Sequence, residues 1–137
     1  MDVAALLVGW VRHQPQFVVG GNEAGMVLGG DVRAADVAVW RRADVGPPTG
    51  RFRRAAPVLA VEVAGQEEGE SELRAKARWY LDRGVEVVWL VLPELRSVIV
   101  ITNAGETRHG TGERLSEQPT LPGLAALVDD FFIQLAR

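Results

Sequence analysis

The chain has 137 residues, of which 47% are hydrophobic and 24% charged, and a formal net charge of −3 at pH 7, so we expect one soluble globular domain over residues 1–137. It has no cysteine and only two histidines, which excludes disulfides and thiolate zinc sites and argues against a histidine-rich metal site, while its negative charge argues against a constitutive, high-affinity nucleic-acid binder. Since no apolar run is long enough to span a membrane and the N-terminus lacks the features of a signal peptide, we expect a cytoplasmic protein without membrane contact.

The first predicted elements are a helix and a hairpin. Apolar residues recur at helical spacing over residues 2–13, and Pro15 prevents the helix from continuing. Short apolar runs at residues 17–19 and 26–28 are separated by a glycine-rich stretch at residues 20–25, which predicts two short strands joined by a turn.

Stronger strand signals and a second helix follow. Three apolar runs lie at residues 36–40, 57–64 and 85–92. The last two are nearly continuous, as in strands that are covered on both faces. An amphipathic helix over residues 71–82 connects them, which predicts a crossover between parallel strands. We expect a further strand over residues 96–102, a turn-rich stretch before Leu115 and a closing helix near the C-terminus.

Three charged residues are unusual for their predicted positions. Lys76 is the single lysine in a chain with fourteen arginines, and it lies on the margin of the apolar stripe of its helix. Glu62 lies within a strand of valine and alanine, where a carboxylate is costly unless it is paired or bound to a cation. Asp36 begins the preceding strand. The simpler alternatives are a lysine that pairs with Glu72 one turn earlier and an aspartate that only starts a strand.

These residues and their neighbours resemble the Uma2 family. The resemblance covers residues 29–132 and rests on Asp36-Val37-Ala38-Val39, Pro57-Val58-Leu59-Ala60-Val61-Glu62-Val63, Glu72, Lys76, Tyr80, Gly84-Val85, Val88-Trp89-Leu90-Val91 and Leu121-Pro122-Gly123. The family is similar to a branch of the PD-(D/E)XK nuclease superfamily. The resemblance therefore implies an α/β, restriction-endonuclease-like fold, with a central mixed β-sheet flanked by helices in an α-β-β-β-α-β core.

The resemblance also implies a site. Asp36 and Glu62 would hold one or two Mg²⁺ (or Mn²⁺) ions, helped by the backbone carbonyl of Val63, and Lys76 would position or deprotonate the attacking water. In the commonest form of the motif the lysine stands two residues after the acid, where this chain has Ala64. Members of the Uma2 branch move it to the next helix, where Lys76 lies. Because Mg²⁺ prefers oxygen ligands and retains waters, two carboxylates and substrate oxygens suffice.

The activity implied by the resemblance is metal-dependent hydrolysis of phosphodiester bonds in nucleic acid, with DNA as the expected substrate. By analogy with other nucleases of this fold, we expect a homodimer. A cluster of arginines is a candidate phosphate-facing loop, although a solvated loop would have the same composition. Its members are Arg41, Arg42, Arg51, Arg53 and Arg54.

Two other functional interpretations remain open. The protein could be a nuclease-fold module that has lost catalysis and serves in binding or assembly. The acidic composition favours this interpretation, as does the first helix, in which no acidic residue matches the helix-borne carboxylate found in parts of the superfamily. Alternatively, it is a structural domain in which Glu62 and Lys76 form a buried ion pair. Such pairs add little net stability after desolvation, so replacing both residues by apolar side chains would then be tolerated.

Overall fold

The computed structural model describes residues 2–45 and 53–136. Its elements are α1 (Asp2–Val11), β1 (Phe17–Leu28), β2 (Asp31–Arg41), α2 (Arg42–Val45), β3 (Leu59–Val63), α3 (Glu70–Asp82), β4 (Val87–Leu92), β5 (Ser97–Thr102), β6 (Gly105–His109) and a 3₁₀ helix (Val128–Ala136). In these ranges the six strands form one sheet, ordered β1-β2-β3-β4-β5-β6, in which β3 and β4 are parallel and the other neighbours antiparallel. The α-β-β-β-α-β order and the parallel crossover through α3 are confirmed. None of the helices described is long and apolar enough to cross a membrane.

Helices cover both faces of the sheet and create two apolar layers. On one face, α1 and the 3₁₀ helix pack against the strands, and Trp89 contacts the ring of Phe131 edge to face. On the other face, α3 buries an apolar stripe that includes Leu73 and Ala77. Because β3 and β4 are covered on both sides, their residues are apolar, and Glu62 is the charged exception in these two strands.

Local sequence features define the beginning and the end of α3. Glu70 and Glu72 lie in the first turn, where negative charge interacts favourably with the helix dipole. After the last turn, Gly84 has a φ of 99°, a left-handed conformation that glycine adopts without strain and that ends helices. The helix presents Tyr80 toward the face of β3 that carries Glu62.

The N-terminal hairpin differs from the sequence prediction. The sequence predicts a turn over residues 20–25, but β1 runs through this stretch as one strand, with a β-bulge between Gly21 and Ala24. The turn lies instead at Gly29 and Gly30, whose φ angles of 59° and 85° allow a tight connection. Pairing with β2 on both sides of the bulge outweighs the weak strand preference of the glycines.

The sequence prediction is also wrong after β5. The stretch predicted to be turn-rich contains β6, which pairs with β5 at the edge of the sheet. Most residues of β6 are exposed and polar, so the strand has no apolar alternation that a sequence pattern could reveal. The closing helix exists, but it is a 3₁₀ helix with a kink at Phe132.

The burial of β4 predicts a large loss of stability when its centre is truncated. Leu90 is fully buried, so Leu90→Ala should lower the free energy of unfolding by about 2–5 kcal/mol. Leu95, three residues beyond the strand, is 65% exposed, and Leu95→Ala is the matched control, with an expected change within about 0.5 kcal/mol. Urea denaturation measures both. Similar losses in the two variants would contradict the described packing.

Candidate functional site

The site begins where β2 separates from β3. The pairing of these strands ends at Val37 and Val61. Beyond this point the backbone amide of Val63 donates a hydrogen bond of 2.7 Å to Oδ2 of Asp36. The bulge of β1 lies opposite Asp36, and bulges of this kind often redirect a side chain beside a functional site. The Asp36 carboxylate is therefore fixed at the C-terminal end of β3.

The carboxylate of Glu62 is buried beneath α3. Glu62 is 4% exposed, its Oε2 accepts a hydrogen bond of 2.8 Å from the hydroxyl of Tyr80, and Nζ of Lys76 lies 3.4 Å from its Oε1. Burial raises the pKa of Glu62 above its ordinary value, and the negative charge of Asp36 acts in the same direction, while Tyr80 and Lys76 oppose the rise. The negative charges of Asp36 and Glu62 thus repel each other, and a second cation near them, in addition to Lys76, would relieve this repulsion.

Lys76 bridges two carboxylates. Its Nζ lies 2.6 Å from Oε2 of Glu68 and 3.4 Å from Oε1 of Glu62. Glu68 belongs to the loop before α3, where its other carboxylate oxygen accepts a hydrogen bond of 3.3 Å from the amide of Gly65. The hydrogen bond between Lys76 and Glu68 raises the pKa of the amine and lowers the pKa of the carboxyl, so both are charged at neutral pH. The alternative that paired Lys76 with Glu72 is thus replaced by these two contacts.

A cavity of about 310 Å³ opens beside this ion pair, at the C-terminal ends of the parallel strands β3 and β4. Its walls come from the loop after β3, the start of α3 and the turn after β4, and they include Glu68, Leu92 and Leu95. Ligands of α/β proteins commonly bind at this end of parallel strands. A substrate group in the cavity would contact Glu68, which holds Lys76.

Asp36 and Glu62 form a donor set that fits a divalent cation. Both supply hard oxygen ligands, and Oδ1 of Asp36 accepts no hydrogen bond from the residues that the structure describes. The carbonyl of Val63 faces the same side of β3 as its amide, because both groups of an extended residue point toward one neighbour. Residues 2–45 and 53–136 contain no group of three or more acidic or histidine ligands. Waters and substrate oxygens would therefore complete the coordination, as Mg²⁺ commonly requires.

The first two arginines of the candidate phosphate-facing loop lie away from this site. Arg41 forms an ion pair of 2.8 Å with Glu86, and the guanidinium of Arg42 donates to the carbonyl of Pro15. Arg41 is five residues along β2 from Asp36, or about 17 Å. Both arginines therefore belong to the opposite end of the sheet.

Of the other three members, the structure describes Arg53 and Arg54. Arg53 pairs with β1 through a bridge to Met26, and its guanidinium lies 5.2 Å from the ring centroid of Trp40. Arg54 is exposed, and Arg51 falls outside the described residues. The single contact loop that the arginine cluster suggests is therefore not formed by the members that the structure describes.

The fold is shared with a protein of known structure. The chain superposes on the "crystal structure of a putative nuclease belonging to DUF820" from Anabaena variabilis with a TM-score of 0.85 and 16% sequence identity, over 98% of this chain and 78% of that chain. This similarity confirms the restriction-endonuclease-like fold that the sequence predicts.

The family follows from the sequence comparison. A model of the Uma2 family, described as "Putative restriction endonuclease", matches residues 2–130. The chain therefore belongs to the Uma2 family. No curated protein matches it.

The roles of two residues that organise the site, Tyr80 and Glu68, are not predicted from the sequence. The sequence assigns Tyr80 to the apolar stripe of α3, but burial raises the pKa of its hydroxyl, which stays protonated and donates to Glu62. A signal for this role exists, because Tyr80 lies four residues after Lys76 on one helix face and a buried carboxylate needs a donor. Glu68 gives no comparable signal, since the path of its loop has no periodic pattern.

The raised pKa of Glu62 predicts how stability depends on pH in metal-free buffer. The folded protein binds the Glu62 proton more tightly than the unfolded chain, so this contribution is fully present below the ordinary value of 4.5 and is lost as pH rises through the folded pKa. Glu62→Gln removes the titrating group. The free energy of unfolding of Glu62→Gln, relative to that of the wild type, should therefore increase as pH rises from 4.5 through the folded pKa of Glu62. Urea denaturation over a pH series would measure this difference. Parallel pH profiles for the two proteins would contradict the raised pKa.

Proposed function

We propose that the protein is a Mg²⁺- or Mn²⁺-dependent endonuclease that hydrolyses phosphodiester bonds in nucleic acid, with DNA as the expected substrate. The observation that carries the proposal is the convergence of Asp36, Glu62 and Lys76 at the C-terminal end of β3. Membership of a family described as "Putative restriction endonuclease" supports it. A cytoplasmic homodimer belongs to the same proposal, since a second copy would bring a second site to the other strand of a duplex.

The metal ligands would be Asp36, Glu62 and the carbonyl of Val63. A divalent ion bound there supplies a Lewis acid for a phosphoryl oxygen and makes bound water more acidic. The chain prepares both carboxylates for this role: the Val63 amide orients Asp36, and the Tyr80 hydroxyl orients Glu62. Because these hydrogen bonds are already formed, the two carboxylates need little reorganisation when a metal ion binds.

Lys76 would act on the attacking water as an ammonium group. Lysine presents a compact charge with rotatable donors, which suits a water or a single phosphoryl oxygen, whereas arginine presents a planar fork. Glu68 holds this charge in place at 2.6 Å, and the hydrogen bond to the Gly65 amide orients Glu68 in turn. Glu68 is therefore a positioning residue in this proposal.

The structural interpretation, a buried ion pair of Glu62 and Lys76, explains less of the geometry. The two side chains are 3.4 Å apart, but Lys76 lies closer to Glu68, and 35% of its side chain is exposed. The exposed ammonium remains accessible to a substrate, which favours a role in catalysis.

Replacing Lys76 by arginine tests the proposal. Lys76→Arg keeps the positive charge but not the geometry of the amine, so it should slow Mn²⁺-dependent DNA hydrolysis by about 100-fold or more. Thermal stability and Mn²⁺ binding, measured by isothermal titration calorimetry, should remain close to the wild type. Arg78→Lys is the matched control: Arg78 lies on the exposed side of α3 in an ion pair with Asp82, and its replacement should preserve activity.

The outcomes separate the functional interpretations. Full activity of Lys76→Arg would rule out a specific role for the amine. A wild-type protein that binds Mn²⁺ and nucleic acid but hydrolyses neither DNA nor RNA would support the alternative, a catalytically inactive binding or assembly module.

A further inference from the structure

The hairpin of β1 and β2 extends past the edge of β3. β2 pairs with β3 only through residues 37–39, so the part of the hairpin near its turn continues beyond the candidate site. There Met26 pairs with Arg33 on one side and with Arg53 on the other. Residues directly opposite each other in a sheet point to the same face, so Arg33 and Arg53 flank the buried Met26 on the side that α3 covers.

Both arginines are supported by tryptophan rings and have no carboxylate partner in the described parts of the chain. The guanidinium carbon of Arg33 lies 5.1 Å from the ring centroid of Trp79, and that of Arg53 lies 5.2 Å from the ring centroid of Trp40. Other arginines do pair with acidic side chains; these are Arg41, Arg74, Arg78, Arg83 and Arg108. The charges of Arg33 and Arg53 are therefore held in place without being neutralised by an acid.

Arg33 borders the candidate site, and Arg53 lies on the far side of Met26 from it. Arg33 precedes Asp36 by three residues in β2, or about 10 Å. Trp79, beneath Arg33, is adjacent in sequence to Tyr80, which donates to Glu62. The charge of Arg33 is also close enough to Tyr80 to oppose the rise in the pKa of its hydroxyl. Arg33 thus places positive charge beside an acidic centre.

We propose that Arg33 and Arg53, the arginine pair, bind the phosphodiester backbone of nucleic acid beside the candidate metal site. This inference rests on the proposed function and adds the surface that holds the substrate. A guanidinium binds phosphate oxygens through two parallel hydrogen bonds, and a ring beneath it reduces the freedom that is lost on binding. Two strand spacings separate the backbones of Arg33 and Arg53 by about 10 Å, so each side chain takes its own phosphate.

Binding in the absence of metal tests the arginine pair separately from catalysis. Fluorescence anisotropy would follow a labelled mixed-sequence DNA duplex in EDTA, where metal-dependent hydrolysis cannot proceed. Arg33→Gln and Arg53→Gln should each weaken binding about tenfold and reduce the slope of log affinity against log salt by about one. Arg33→Lys and Arg53→Lys, which keep the charge, should preserve the salt slope.

Arg54→Gln is the matched control. Arg54 is adjacent to Arg53 and exposed, and it makes no ion pair or ring contact within the described residues. Its replacement should change affinity by no more than about twofold. Three results would overturn the arginine pair. One is an equal loss of affinity in Arg54→Gln and Arg53→Gln, and another is unchanged affinity in folded Arg33→Gln and Arg53→Gln. The third is a wild-type protein that binds no nucleic acid.

The two proposals can fail independently. If the wild type binds DNA through Arg33 and Arg53 but does not hydrolyse it with Mn²⁺, the endonuclease proposal fails and the arginine pair stands. If it hydrolyses DNA and both glutamine variants bind normally, the arginine pair alone fails. The same binding measurement with an RNA duplex of the same sequence identifies the substrate. If affinity depends on both arginines for RNA but not for DNA, the arginine pair stands and RNA, not DNA, is its ligand.

Discussion

A carboxylate buried within a sheet is the constraint on which the rest of the site depends. Glu62 occupies a position that is apolar in its neighbours on β3 and β4, and burial of its charge must be compensated. Tyr80 and Lys76 provide this compensation from one face of α3, four residues apart. The orientation of α3 over the sheet is therefore coupled to the charge of a single side chain.

The ending of the β2–β3 pairing supplies the second carboxylate. If the antiparallel pairing continued, the amide of Val63 would bond to a backbone carbonyl of β2. Here the side chain of Asp36 accepts that hydrogen bond instead, which brings its negative charge next to Glu62. Two carboxylates held close by separate hydrogen bonds repel each other, and a divalent cation is the species that turns this repulsion into attraction.

Charge is distributed unevenly around this centre. The protein has a net charge of −3, yet Arg33 lies next to the acidic site and Arg53 lies across Met26 from it, each on a tryptophan ring. Net charge alone argues against tight binding of nucleic acid, but local placement of cations decides where a polyanion binds. An overall acidic protein with a small basic surface would bind its substrate weakly at high salt and release it readily.

The sequence predicts the parts of the structure that have strong patterns. The buried strands that flank Lys76 are visible as apolar runs, and the positions of Glu62 and Lys76 are conspicuous because each conflicts with its surroundings. The long β1 strand is missed because its glycines resemble a turn and only pairing with β2 reveals their conformation. Contacts between distant segments, such as Glu68 with Lys76, depend on loop paths that local sequence does not encode.

The stacking of Arg33 on Trp79 shows the same limitation. The two residues are far apart in sequence, and they meet because the hairpin extends past β3 and folds against α3. The arginine cluster at residues 41–54 is prominent in the sequence, but the structure places Arg41 on β2 in an ion pair with Glu86 and Arg53 beside β1. Proximity in sequence is therefore a poor guide to which cations share a surface in this fold.

The most direct test of the account is a crystal structure of the protein soaked in Mn²⁺, with anomalous scattering used to locate the ion. We predict one strong anomalous peak between the carboxylates of Asp36 and Glu62, with metal–oxygen distances of about 2.0–2.2 Å, and no such peak in crystals of Glu62→Gln. Anomalous density that is absent there in the wild type, or that appears only at other acidic residues, would contradict the claim that these two carboxylates form a metal site.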